Sequence, residues 1–147
     1  MATTTAICTS FKGELLSGTH NLGSGGNSLK MALIKVSPAG TYGAASTNYS
    51  NITGNSDEVS GTGYTAGGAA MTNSGVSTSG TTGIADFANV SWTSATFSAT
   101  AVMMYNTTAS NKAIALWDFG GTQSVSASTF TITMPASGAS TSLIRIA

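Results

Sequence analysis

Few residues in this chain could carry chemistry. Among 147 residues there is one histidine, His20, one cysteine, Cys8, and ten charged side chains, five Lys/Arg and five Asp/Glu. A serine hydrolase needs a nucleophile, a base and an orienting acid held together, and zinc needs three or four thiolate, imidazole or carboxylate ligands at short spacing. His20 could serve as base only with an acid brought from across the fold. None of the 22 serines sits in a Gly-x-Ser-x-Gly elbow. His20, placed after a short helix, reads as a cap or surface residue, and Cys8 as a small buried one.

The remaining candidates have plain structural readings. Asp57 and Glu58 are adjacent, so on a helix or strand they diverge instead of converging on one bond. They read as the negative start of a helical turn over 55–61, with Ser56 as N-cap and Gly61 as stop. Asp86 and Asp118 flank strand aromatics. Trp92 and Trp117 read as core or interface anchors, with stacking on a sugar ring as the alternative. Gly61-Thr62-Gly63-Tyr64-Thr65-Ala66-Gly67-Gly68 lacks the strand before and the helix after that a dinucleotide loop requires, and no Gly-Lys-Ser/Thr follows. It reads as a turn with Tyr64 as packing anchor. Four glycosylation sequons, beginning at Asn48, Asn51, Asn89 and Asn106, carry no weight without a secretory signal. The expectation is a non-enzyme with no cofactor and no metal.

Composition narrows the partners. Gly, Ser, Thr and Ala supply 85 residues and the net charge is zero. Nucleic-acid binding needs a clustered basic surface that releases counterions, so DNA and RNA are not expected partners. An anionic membrane surface is excluded on the same ground. No apolar run approaches the ~18 residues that span a bilayer. The start, Met1-Ala2-Thr3-Thr4-Thr5, does not read as a secretory signal. A lone cysteine forms no internal disulfide, so a reducing cytosol is the expected site of synthesis. Apolar residues are 41% of the chain and fall in periodic clusters, which separates this composition from disorder.

The elements that must position these residues are mostly strands. Phe130, Ile132 and Met134 alternate with Thr129, Thr131 and Thr133, the pattern of a half-buried strand that Pro135 ends. Residues 96–105 begin with one apolar face, Phe97 to Tyr105, and finish apolar on both. Residues 113–119 look central, and 29–36, 87–92 and 142–146 complete the set. Turns are expected at 40–43, 106–111, Gly120-Gly121 and 135–138. One short helix is expected over 10–18, capped by Ser10, with Phe11 and Leu15 on one face.

Residues 37–85 are rich in Gly, Ser, Thr and Asn, with Tyr42, Tyr49, Ile52, Val59, Tyr64 and Val76 as sparse anchors. So long a stretch without structure is foreign to a packed domain. It is expected to hold short strands and turns, or to form an arm that orders on a partner. The whole, 1–147, reads as one all-β domain, an antiparallel β-sandwich of jelly-roll-like form with one or two short helices. Tyr42, Tyr49 and Tyr64 are the candidate interface anchors.

Several segments taken together carry a resemblance. They are Thr9-Ser10-Phe11-Lys12-Gly13-Glu14-Leu15-Leu16 with Gly18, His20 and Asn21; Lys30-Met31-Ala32-Leu33; and Glu58-Val59-Ser60-Gly61-Thr62-Gly63-Tyr64-Thr65-Ala66-Gly67-Gly68. Asp86-Phe87 through Trp92, Tyr105-Asn106, Leu116-Trp117-Asp118-Phe119-Gly120-Gly121 and Phe130-Thr131-Ile132 complete the pattern. In order and spacing the chain resembles a family of small virion proteins of tailed bacteriophages. The resemblance implies a β-rich structural subunit without catalytic residues, assembled in the host cytoplasm and carried on the virion. The expected role is capsid decoration, or cement. The partners would then be the major capsid protein and further copies of the chain, as dimer or trimer. The alternative is a tail-fibre or host-recognition module.

Overall fold

The computed structural model describes residues 2–147. In chain order the elements are β1 (Ala6–Ile7), α1 (Thr9–Leu16), β2 (Leu29–Ile34), α2 (Ser50–Thr53) and β3 (Ala69–Ala70), then β4 (Asn73–Ser79), β5 (Thr82–Phe87), β6 (Val90–Asn106), β7 (Lys112–Ile132) and β8 (Ile144–Ile146). The fold is all-β, and every pairing between these strands is antiparallel. One sheet has five strands in the order β1-β7-β6-β2-β3, the other three in the order β4-β5-β8.

The large sheet forms where apolar residues occupy both rows of a strand. In β2, Leu29 and residues 31–34 are all buried, and the strand pairs with β6 from Leu29↔Asn106 to Ile34↔Ala101. Each of the large ones, Leu29, Met31, Leu33 and Ile34, contributes about 1.5–3 kcal/mol by leaving water. Two layers cover this sheet. Tyr49 stacks flat on Tyr105 at a ring separation of 4.6 Å over one face, and the chain after it bridges the sheet's edge at Ile34↔Glu58 and Thr62↔Thr96. On the other, the paired residues Val102 and Trp117 line a cavity together with Met134, Pro135 and Leu143. The polar region 37–85 holds α2, β3, β4 and the start of β5, and its Tyr42, Ile52, Val59 and Met71 belong to the main core.

β6 and β7 are the longest elements and pair from Asn106↔Lys112 to Val90↔Ile132. β2 reaches only Ala101 of β6, and β1 meets only Ala115 and Leu116 of β7. The remaining parts, 90–99 and 119–132, run on as a ribbon, joined on its β6 side by the bridge Thr62↔Thr96. Gly120-Gly121, expected as a turn, is instead a bulge within β7. Residues 119–122 are inserted opposite Thr100 alone, and Gly120 adopts φ 76°. A glycine pair there lets the strand swell without leaving the ladder. Ala127, at φ 46°, marks a second irregularity.

Other expectations are corrected. No helix forms over 55–61, where a helical turn was foreseen; the second helix is α2, Ser50–Thr53. The strand foreseen over 87–92 is two strands, one ending at Phe87 and one starting at Val90. The first helix begins after Cys8, not Ser10, and no side chain caps it.

Candidate functional site

Three carboxylates draw most of the polar structure around them. Glu14, on α1, meets the His20 ring at 2.8 Å through Oε2 and accepts from Lys112 Nζ at 2.9 Å through Oε1. His20 is buried, 6% exposed, which corrects its reading as a cap or surface residue. Its Nδ1 lies 2.9 Å from Asn106 Nδ2. An amide nitrogen can only donate, so Nδ1 accepts, and Nε2 carries the proton that goes to Glu14. Both ring nitrogens are thereby engaged, and His20 has no lone pair left to activate a nucleophile. Burial pulls the Glu14 carboxyl up, but the bonds from His20 and Lys112 outweigh it and hold the group below its usual range.

Asp57 points inward and is completely buried. Its carboxylate accepts from Ala39 N (2.9 Å), Gly40 N (2.8 Å) and the Tyr42 hydroxyl, and lies 3.1 Å from Lys35 Nζ. Burial opposes its ionisation; the donors from Tyr42 and the two amides overcome that and keep it well below the ordinary carboxylate range. Glu58 turns the other way. It accepts from Tyr49 Oη at 2.5 Å, Tyr64 Oη at 2.7 Å and Gly67 N at 2.7 Å. The two adjacent acids do diverge. Their partners are tyrosines, though, not a helix start.

The glycine-rich run that follows Glu58 is a strap lying against the large sheet. A Cβ on Gly61 would stand 2.6 Å from Thr96 O, one on Gly63 2.8 Å from Ala95 Cα, and one on Gly68 1.8 Å from Met31 O. Those positions carry glycine because backbone meets backbone. Tyr64 fixes the strap: its hydroxyl also accepts from Leu33 N at 3.0 Å, and its ring packs near Trp92 (6.1 Å) and Phe97 (5.7 Å).

The three tyrosines singled out in the sequence are therefore brought together with the two acids, hydroxyls facing into the protein. Tyr42 is 2% exposed; Tyr49 and Tyr64 are half-buried. Trp92 is buried against Phe97 and Phe130. Cys8 is buried and its thiol is pushed up to about 11 by that burial and by the Glu14 charge, so it stays a neutral thiol. Asp86 accepts from Ser137, and Asp118 accepts from Gly120 N at the bulge. Among the described residues no three His, Cys, Asp or Glu side chains gather as metal ligands, and no helix is long and apolar enough to cross a membrane. The tyrosine–acid pairing was not read from the sequence. Its signal was there: two acids in a segment nearly free of cations, flanked by three tyrosines, have to find neutral donors if they are buried.

No protein-family model, curated protein or solved structure matches this chain.

Proposed function

We propose that the chain is a structural virion protein, a decoration or cement protein that binds the outer head surface and ties neighbouring major capsid subunits together. In this reading it works as a dimer or trimer of identical copies and touches neither nucleic acid nor membrane. The observation that carries it is where the ionisable groups go. Glu14, Asp57 and Glu58 all accept donors from their own chain. What remains for contact is a sparsely charged surface, on which Lys12, Asp118 and Arg145 are exposed, and a ribbon with no charged residue between Asp118 and Arg145. Such a surface acts through shape and area. Packaged DNA loads a shell outward, and a clamp across a subunit border adds buried area that must be lost before the subunits part. The sequence resemblance supports the same role. Tyr42, Tyr49 and Tyr64 enter it by holding residues 40–70 in the shape a partner would meet.

The same reading takes the two sheets as facing layers of a jelly-roll-like β-sandwich. Ala85 and Phe87 of β5 and Ile144 of β8 share one core with the large sheet, which supports it. The test is to strip the protein gently from heads and restore it. Stripped heads release DNA at a lower temperature, restored heads recover, and the copy number matches the capsid lattice. Unchanged release overturns the proposal. A handful of copies per particle assigns the protein to the tail, as a host-recognition module.

A further inference from the structure

We propose that the apolar surface between α1 and β8, bordered by Lys12 and Arg145, docks an acidic, apolar segment of the partner protein. This deepens the reading above, on which it rests for the identity of that partner, the major capsid protein.

Four large apolar side chains of the described residues are exposed: Leu16 at 91%, Val76 at 60%, Ile146 at 57% and Val36 at 39%. The first three gather in one place. Leu15, Ile144 and Ile146 form a wall shared by two open hollows of about 370 Å³ each. Val76 lines the hollow beside His20, and Leu16 lines the one beside Phe11. Val36 lies elsewhere, near Thr100 and the β7 bulge. The wall stands on fixed elements. Phe11 is buried and holds α1 to the core, and β8 pairs with β5 from Gly83↔Ile146 to Ala85↔Ile144. Apolar side chains kept together in water mark a contact surface. Two hollows on a common wall suit apolar anchors that enter from outside.

The charges at the rim select the occupant. Lys12 and Arg145 are exposed and border the second hollow. No acidic side chain lines either hollow. The ion pairs of the described residues engage His20, Lys35 and Lys112, and leave Lys12 and Arg145 without an acid. A complementary surface therefore brings carboxylates to the rim and apolar groups to the hollows. A second copy does not match. It brings the same two cations, while its Glu14, Asp57 and Glu58 are held within their own chain. A lipid surface does not match either, because hollows receive side chains that protrude and a bilayer face offers none.

The test measures binding of the full chain to stripped heads by co-sedimentation across a salt series. Wild-type affinity falls as salt rises. Leu16→Gln and Lys12→Glu change exposed side chains and melt like wild type, and each weakens head binding about tenfold or more. Lys12→Arg binds normally, and so does Val36→Gln, which alters the exposed apolar residue outside the surface. If Leu16→Gln fails to fold, Val76→Thr, a change suited to a strand, decides in its place. Head binding that ignores Leu16→Gln and Lys12→Glu, that ignores salt, or that Val36→Gln weakens as much overturns the docking. So does self-association of the wild type that Leu16→Gln abolishes, which gives the surface to a second copy. Binding to vesicles of phosphatidylserine and phosphatidylcholine that Leu16→Gln abolishes gives it to lipid and overturns it too. A wild-type chain that never coats heads removes decoration, and two synthetic peptides then decide the surface by itself. One intersperses leucine with glutamate; the other carries lysine in place of glutamate. Methyl signals of Leu15, Leu16, Val76 and Ile146 that shift with the first peptide and not the second keep an acidic, apolar partner, and any other pattern overturns it.

Discussion

The Tyr42 hydroxyl donates a 2.5 Å hydrogen bond to Asp57 Oδ2, joining residues 15 apart in sequence. Both are shut away from water. The bond ties residues 39–42 to the segment leading into the strap, and Asn55 Nδ2 donates to the same Tyr42 oxygen at 3.2 Å. Tyr42→Phe keeps the ring and removes the donor. The expected loss is about 1.5–3 kcal/mol, as for hydrogen bonds to charged groups, read from denaturant midpoints at constant slope. A loss below about 0.5 kcal/mol contradicts the role given to this pair.

Acid should weaken the fold in a defined window. Asp57 and Glu14 are both held below their ordinary values in the folded state. In the unfolded chain such groups titrate near ~3.9 and ~4.3. The unfolded state therefore binds more protons as pH falls. Stability that is complete at neutral pH is lost progressively below about pH 5, toward the folded values. Scanning calorimetry should show Tm falling from about pH 5 to pH 2. Asp57→Asn should lower Tm at pH 7 and flatten that fall.

The alkaline side has its own signature. All four tyrosines are held in the phenol form beyond the usual value. Burial is the main cause and neighbouring Asp57 or Glu58 adds to it; Tyr42 and Tyr105 are pushed up to about 12, and Tyr49 and Tyr64 further. Raised folded values mean stability that is complete below the free-tyrosine value of ~10 and lost as pH rises through the folded ones. The near-ultraviolet phenolate band should stay flat where free tyrosine is half ionised, then rise together with loss of the β-sheet signal. A separate early tyrosine step counts against the buried network.

The strap gives the sharpest substitution. Gly68 combines φ 78° with a Cβ position 1.8 Å from Met31 O, whereas Gly80 has φ 61° and nothing within 4 Å. Gly80→Ala should cost about 1–2 kcal/mol, the strain of a left-handed residue. Gly68→Ala must also push strap from sheet and should exceed about 4 kcal/mol, in the range reserved for a named structural insult. Thermal melting of the two variants side by side measures the difference.

The strands that carry two apolar rows were legible. β2 and the shared halves of β6 and β7 follow from residues 29–34, 101–105 and 113–117, because burial on both faces leaves few alternatives. β4 was not: Asn73–Ser79 holds one large apolar side chain, Val76, and owes its strand to pairing with β5. Gly120-Gly121 misled because the same dipeptide serves a turn or a bulge, and only the partner strand decides. The polar networks were hidden for a different reason. Tyr42, Tyr49 and Tyr64 looked like outward anchors in a polar stretch, and their inward direction depends on Asp57 and Glu58 finding no nearby cation except Lys35.

The continuity of β6 and β7 has a mechanical consequence. Each strand passes from the ribbon into the five-stranded body without a chain break or an intervening loop. Tension applied lengthwise at the far end draws both strands the same way and loads in shear the ladders that join them to β1 and β2, so those rungs resist together and not one after another. A pull across the ribbon would open it rung by rung from Val90 and Ile132. Whatever grips the tip lengthwise holds the whole molecule as firmly as its core is held.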